Sequence, residues 1–157
     1  MKSKIHEFKK NKKLHMSKKI LILLAFFPFI LGCDGGSINY KNPNLPNYPV
    51  NLQINLSLPQ YSNLQFASNH IVEYSQGIRG IVIFNTGNNY AAYDVACPNQ
   101  LYSTCSSPMT INGIEAKCNC DIAENPYSLY SGQSPGQQYQ MKPYRVQLGS
   151  GYLYVTN

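Results

Sequence analysis

Four cysteines constrain this chain more than anything else in it. Cys97, Cys105, Cys118 and Cys120 are spaced C-x7-C-x12-C-x-C behind what reads as an export signal. An even number of cysteines in an exported domain points first to two disulfides, and four residues allow three connectivities. Two alternatives stay open at this point. Four thiolates also hold zinc or a [2Fe–2S] cluster, although ligands one residue apart strain a tetrahedral site that prefers about two to four intervening residues. A Cys118–Cys120 bridge would close a very small ring and be easily reduced, which would suit a thiol–disulfide redox protein.

The signal is legible in the first 33 residues. Lys2, Lys4, Lys9, Lys10, Lys12, Lys13, Lys18 and Lys19 supply eight of the thirteen basic residues of the chain. "ILILLAFFPFIL" (20–31) then gives twelve apolar residues, closed by Gly32 and Cys33. A positive n-region, a short apolar h-region and a small residue before the cut make a secretory signal. The run is shorter than the ~20 residues a transmembrane helix needs. Met16 would serve equally as the start, since "MSKKILILL" opens a complete signal. "FILGC" resembles a bacterial lipobox. Residues 1–32 are thus expected to be removed and Cys33 to be acylated, anchoring the protein to a membrane through two or three chains. An ordinary signal with a chance cysteine is the plainer alternative. Asp34, directly after Cys33, bears on which membrane receives the protein. The expected location is the bacterial cell envelope, on the outer membrane and facing the periplasm.

From Cys33 onward the charge reverses. Five basic residues (Lys41, Arg79, Lys117, Lys142, Arg145) stand against six acidic ones (Asp34, Glu73, Asp94, Glu115, Asp121, Glu124), and five minus six leaves a net charge near −1. The basic balance belongs to the leader. A nucleic-acid binder needs a clustered basic face, so that partner class is excluded.

Residues 33–49, with "DGGSINYKNPNLPNYP", read as the lipidated cysteine and a flexible tether. Residues 50–157 are enough for one small domain. Helical periodicity is nearly absent there, and short β-type runs with turn signals replace it. "VNLQINL" (50–56) alternates, "IRGIVIFN" (78–85) is a buried-strand run, and "TGNN" turns into "YAAYDVAC" (90–97). "MTINGIEAKC" (109–118) reads as a hairpin with a type I′ turn at Asn112-Gly113. "PYRVQLGSGYLYVTN" (143–157) repeats the scheme around Gly149-Ser150-Gly151. The expected class is all-β, a small antiparallel sandwich or barrel.

"ACPNQ" follows a strand and "KCNCD" follows a hairpin, so two cysteine loops could meet at one tip of such a domain. Here the chain resembles the Rieske iron–sulfur family over roughly residues 78–157. That family carries a Cys-x-His loop, then a β-hairpin and a Cys-x-x-His loop, then a Gly/Pro-containing third loop and a terminal hairpin. "YAAYDVACPNQ", "INGIEAKCNCDIAENPYSLYSGQSPG" and "KPYRVQLGSGYLYVTN" match this order, with Pro135-Gly136 in the reverse of the usual order. The resemblance implies a Rieske-like fold with Cys97 and Cys118 at the cysteine-ligand positions. Asn99 and Asp121 then stand where the two histidine ligands would be. It also implies an inherited Cys105–Cys120 disulfide, which leaves Cys97 and Cys118 to join across the vacated ligand positions. A [2Fe–2S] centre of this type needs two imidazoles on one iron, and the mature sequence has one histidine, His70, well before either loop. The expectation is a cluster-less domain with no cofactor and no catalytic residue, electron transfer through [2Fe–2S] being the alternative.

The remaining candidates are ordinary. His70 lacks a partnering nucleophile or acid by motif and reads as a surface or strand-end histidine. Asp94 ends a strand, where a carboxylate takes up backbone N–H groups. Asp121, Glu124 and Asn125 have the spacing of a cation site and equally of a solvated loop. "SGQSPGQQYQ" (131–140) has a composition that contacts glycans or a partner protein, and equally that of a flexible surface loop. The expected role is therefore a non-enzymatic, membrane-anchored envelope lipoprotein that binds a protein or glycan or is structural.

Overall fold

The computed structural model describes residues 38–123 and 125–157. The leader, Cys33 and Glu124 lie outside the described residues. The chain is mostly β, as the alternating runs imply. Nine strands are described: β1 (Asn51–Asn55), β2 (His70–Glu73), β3 (Ile81–Asn85), β4 (Tyr90–Asp94), β5 (Thr110–Asn112), β6 (Glu115–Lys117), β7 (Tyr127–Ser128), β8 (Pro143–Gly149) and β9 (Tyr152–Thr156), with a 3-10 helix at Pro59–Gln65. Six form a curled antiparallel sheet in the order β1-β9-β8-β4-β3-β2, and three form a small sheet in the order β5-β6-β7.

β3 explains the arrangement. All five of its residues are buried, and successive side chains point to opposite faces of a strand. Ile81 and Ile83 enter one core with Leu52, Ile54, Leu64, Leu153 and Val155. Val82 and Phe84 enter a second core with Val95, Met109, Ala116, Tyr127, Leu129 and the cysteines. One strand buried on both faces thus separates the interior of the curled sheet from the layer that carries the cysteine loops.

The turns follow the side chains they must accommodate. In the β5–β6 hairpin Asn112 pairs with Glu115, so the two-residue loop is Gly113-Ile114 rather than the expected Asn112-Gly113. Gly113 has φ +58° and Ile114 keeps a negative φ, which fits a II′ turn with glycine first instead of type I′. β-branched Ile114 resists the positive φ that type I′ demands at its second position. The β8–β9 hairpin pairs Gly149 with Tyr152. Its loop residues Ser150 and Gly151 both take positive φ, at 51° and 81°, so this is the hairpin with type I′ geometry.

Residues 38–49 are not a free tether. Leu45 and Asn42 are buried, and the segment is bonded to three distant parts of the domain. The Nδ2 of Asn42 and of Asn44 donate to Pro98 O at 2.8 and 3.0 Å, and Tyr102 N donates to Asn44 O at 3.1 Å. Lys142 Nζ donates to Pro46 O at 3.0 Å and to Asn47 Oδ1 at 2.9 Å. Asn157 Nδ2 donates to Asn47 Oδ1 at 3.1 Å and to Tyr48 O at 2.8 Å. Asparagine and proline made the segment look like a linker. Proline restricts the backbone, and the asparagine amides have found fixed partners. It is a strap.

Asp94 is the other organising residue. Its carboxylate is fully buried at the end of β4 and accepts from Ile78 N (2.6 Å), Arg79 N (3.2 Å), Ala96 N (2.9 Å) and Tyr144 Oη (2.7 Å). The expected uptake of backbone N–H groups is met, and a phenol from β8 is added. Gly77 permits the approach: a Cβ there would stand 2.8 Å from Asp94 Oδ2, and its φ of +88° disfavours any side chain. Burial, and then the adjacent Asp94 charge, push the Tyr144 phenol well above its ordinary value.

Asp94→Ala is expected to cost at least ~3 kcal/mol in chemical denaturation, because several buried donors lose their only acceptor at ~1–3 kcal/mol each. Tyr144→Phe should cost less, ~1–2 kcal/mol, since the backbone donors keep the carboxylate. A phenol raised in the folded state contributes stability in full below about pH 10, the unfolded value, and loses it as pH climbs above that. Titrating the urea midpoint upward from pH 8 should therefore show a fall beyond about pH 10 that is shallower in Tyr144→Phe.

Candidate functional site

The cysteine tip is built from two loops. The first leaves β4 through Val95–Pro98, all buried, and is held by Val95 N to Gly80 O at 3.0 Å and Met109 N to Val95 O at 2.7 Å. Within it, Leu101 O accepts from Thr104 N (3.0 Å) and Cys105 N (2.9 Å), a turn that swings Cys105 back toward Cys97. The second loop leaves the β5–β6 hairpin at Cys118.

Two bridges join them. Cys97 is bonded to Cys118 with Cα atoms 5.5 Å apart, and Cys105 to Cys120 with Cα atoms 5.8 Å apart. This is the connectivity the resemblance implies, and the Cys118–Cys120 ring is not formed. The four sulfurs lie within 4.8 Å of one another. Cys97 and Cys118 are 2% and 1% exposed, while Cys120 is exposed, so one bridge belongs to the core and the other reaches the surface. The loops closed span 21 and 15 residues, each worth about 3 kcal/mol against the unfolded chain.

The residues at the positions where the resemblance expects histidine ligands are engaged with protein. Asn99 Nδ2 donates to Tyr127 Oη at 2.6 Å and to Tyr139 O at 2.9 Å, and its Oδ1 accepts from Tyr139 N at 3.0 Å. Asp121 Oδ1 accepts from Ala123 N at 3.0 Å, a local turn. The donor set therefore does not fit a Rieske cluster. Its two cysteine positions are bonded to each other, an amide and a carboxylate stand where imidazoles are required, and metal coordination needs thiolates rather than disulfide sulfurs. The same bridging removes all four thiolates that a zinc site would use.

Other candidates resolve individually. His70 heads β2 opposite Phe84. In the Asp121–Glu124–Asn125 set, Glu124 lies outside the described residues and Asn125 Nδ2 donates to Pro135 O at 3.2 Å. Among the described residues, no helix is long and apolar enough to cross a membrane.

Behind the tip, a groove of about 630 Å³ runs between the strap (Ile38–Lys41) and the loop that contains Gln133 and Gln137–Gln140. Tyr40 Oη donates to Gln140 O at 2.7 Å and accepts from Asn42 Nδ2 at 2.8 Å. Burial pushes its phenol up to about 12, with the Asn42 bond opposing. Lys142, nearly fully buried, has its ammonium lowered by burial against the pull of Asp94, and lies 5.7 Å from the centre of the Tyr144 ring. Sequence reasoning missed Lys142, Tyr127 and the strap, because their partners lie up to 110 residues away and no local pattern announces them.

No protein-family model matches this chain, and no curated protein matches it.

Thiol–disulfide exchange needs access to a sulfur. With limiting dithiothreitol and differential alkylation, Cys105 and Cys120 should be labelled before Cys97 and Cys118.

Proposed function

We propose that the chain is a non-enzymatic lipoprotein of the bacterial envelope, anchored at Cys33. It presents a Rieske-like β domain that has lost its iron–sulfur cluster, and its role is binding or structural. One observation carries this reading: Cys97 and Cys118, the cysteines at the family's ligand positions, are bonded to each other. Asn99 supports it, since its amide clamps Tyr139 in the third loop where a ligand histidine would have to face iron. Electron transfer through a [2Fe–2S] centre would need two imidazoles that the mature sequence lacks. A thiol–disulfide enzyme built on Cys118 and Cys120 would need those two to form one bridge, and each has a different partner. The net charge near −1 of the exported part sets nucleic acid aside. The surface loops and the membrane remain as the sites of interaction.

Growth with an alkyne-bearing fatty acid tests the anchor. The wild-type chain should incorporate the label in a bacterial host, and Cys33→Ser should incorporate none. Equal labelling of both, or of neither, contradicts lipidation at Cys33.

A further inference from the structure

The groove between the strap and the third loop has a chemistry of its own. Its volume of about 630 Å³ falls within the ~300–1,000 Å³ usual for ligand sites. Among the described residues Lys41 is the only charged one that lines it, so a cationic ligand would find no carboxylate there and a multiply charged anion only one ammonium. Gln133, Gln137 and Gln140 line it, and their side-chain amides make no hydrogen bond among the described residues. Each amide presents a donor pair beside an acceptor, the complement of neighbouring hydroxyls that both give and take a proton.

The walls are fixed before any ligand arrives. Tyr40 is tied across the groove to Gln140 O at 2.7 Å. Tyr139 is clamped through its own N–H and C=O by the Asn99 amide, at 3.0 and 2.9 Å, and its hydroxyl accepts from Gln138 Nε2 at 3.2 Å. A phenol held at its hydroxyl (Tyr40) and a second on a clamped backbone (Tyr139), beside unpartnered amides, combine apolar faces with polar edges, as a sugar ring does. Such preorganisation lowers the ordering cost of binding. A peptide added to a sheet would need a free strand edge, whereas this groove is walled by loops; a nucleic acid would need more than one cation.

We infer that this groove is a binding site for a neutral, polyhydroxylated saccharide, with Gln133, Gln137 and Gln140 reading its hydroxyls against Tyr40 and Tyr139. The inference rests on the reading of the chain as an envelope binding protein, and it names the class of ligand. Asn99 then has a positioning role: at the place where the resemblance puts an iron ligand, it holds a wall of the saccharide groove.

The test is a titration of the isotopically labelled exported chain, in a phosphocholine detergent, with chitotetraose and separately with maltotetraose. Saturable shifts of the Gln133, Gln137 and Gln140 side-chain amide signals are expected. Shifts with chitotetraose alone assign an N-acetylated wall-type glycan, and shifts with both assign neutral saccharides at large. The triple variant Gln133→Ala/Gln137→Ala/Gln140→Ala, folded by its backbone spectrum, should bind at least about tenfold more weakly. Asn99→Ala should weaken binding in the same direction, whereas Gln53→Ala on exposed β1 should leave it unchanged. No saturable shift with either sugar, or shifts that persist in the triple variant, overturns the assignment. Neither result touches the fatty-acid labelling or the thiol state, which test the envelope reading independently.

Discussion

Two disulfides whose four sulfurs lie within 4.8 Å of one another fasten the layer of the small sheet to that of the large one. The β5-β6-β7 sheet has strands of three, three and two residues, too short to be stable alone. What secures it is the pair of bridges, together with the burial of Ala116, Tyr127 and Leu129 against Val82 and Phe84. Because Cys97 follows β4 and Cys118 follows β6, the inner bridge fastens the small sheet to the central strands of the large one. The outer bridge, Cys105–Cys120, then fixes the connection between β4 and β5, whose length would otherwise leave it little reason to adopt one conformation.

Polar residues do the same work elsewhere. Asp94 collects the Gly77–Gly80 turn, the start of the cysteine loop and β8 into one buried carboxylate. Lys142 and Asn157 draw the strap across the sheet. These contacts fix the loops and the strap, where the apolar cores do not reach. They also explain why the third loop is held in place. Asn99, on the cysteine loop, grips Tyr139 on the third loop, while Asn42 on the strap grips Pro98. The tip, the loop and the strap therefore form one hydrogen-bonded assembly next to the groove.

Much of the fold was legible because its signals are local. The alternation of residues 50–56, the run at 78–85 and the glycine-centred turns fall within one residue or a few of β1, β3 and both hairpins. The β5–β6 turn was misplaced by one residue because Asn-Gly is a strong turn signal, and the reluctance of Ile114 to take positive φ decided otherwise. β7, two residues long, carries no periodicity to detect. The strap was misread because its composition matches a linker, and its order comes from partners more than fifty residues distant. At the site, the cysteine positions and the absence of two histidines were plain in the sequence. The use of Asn99 as a clamp, and the groove it supports, required Tyr139 and Tyr40 to be seen side by side.

The most direct test of the account is the thiol state of residues 34–157. The protein is purified from an oxidising compartment, denatured, alkylated without reductant and weighed intact. Cys97, Cys105, Cys118 and Cys120 are expected to take up no label, and fragmentation should link Cys97 to Cys118 and Cys105 to Cys120. Labelling of two or more of these cysteines, or stoichiometric iron or zinc in the native protein, would contradict a bridged, cluster-less tip.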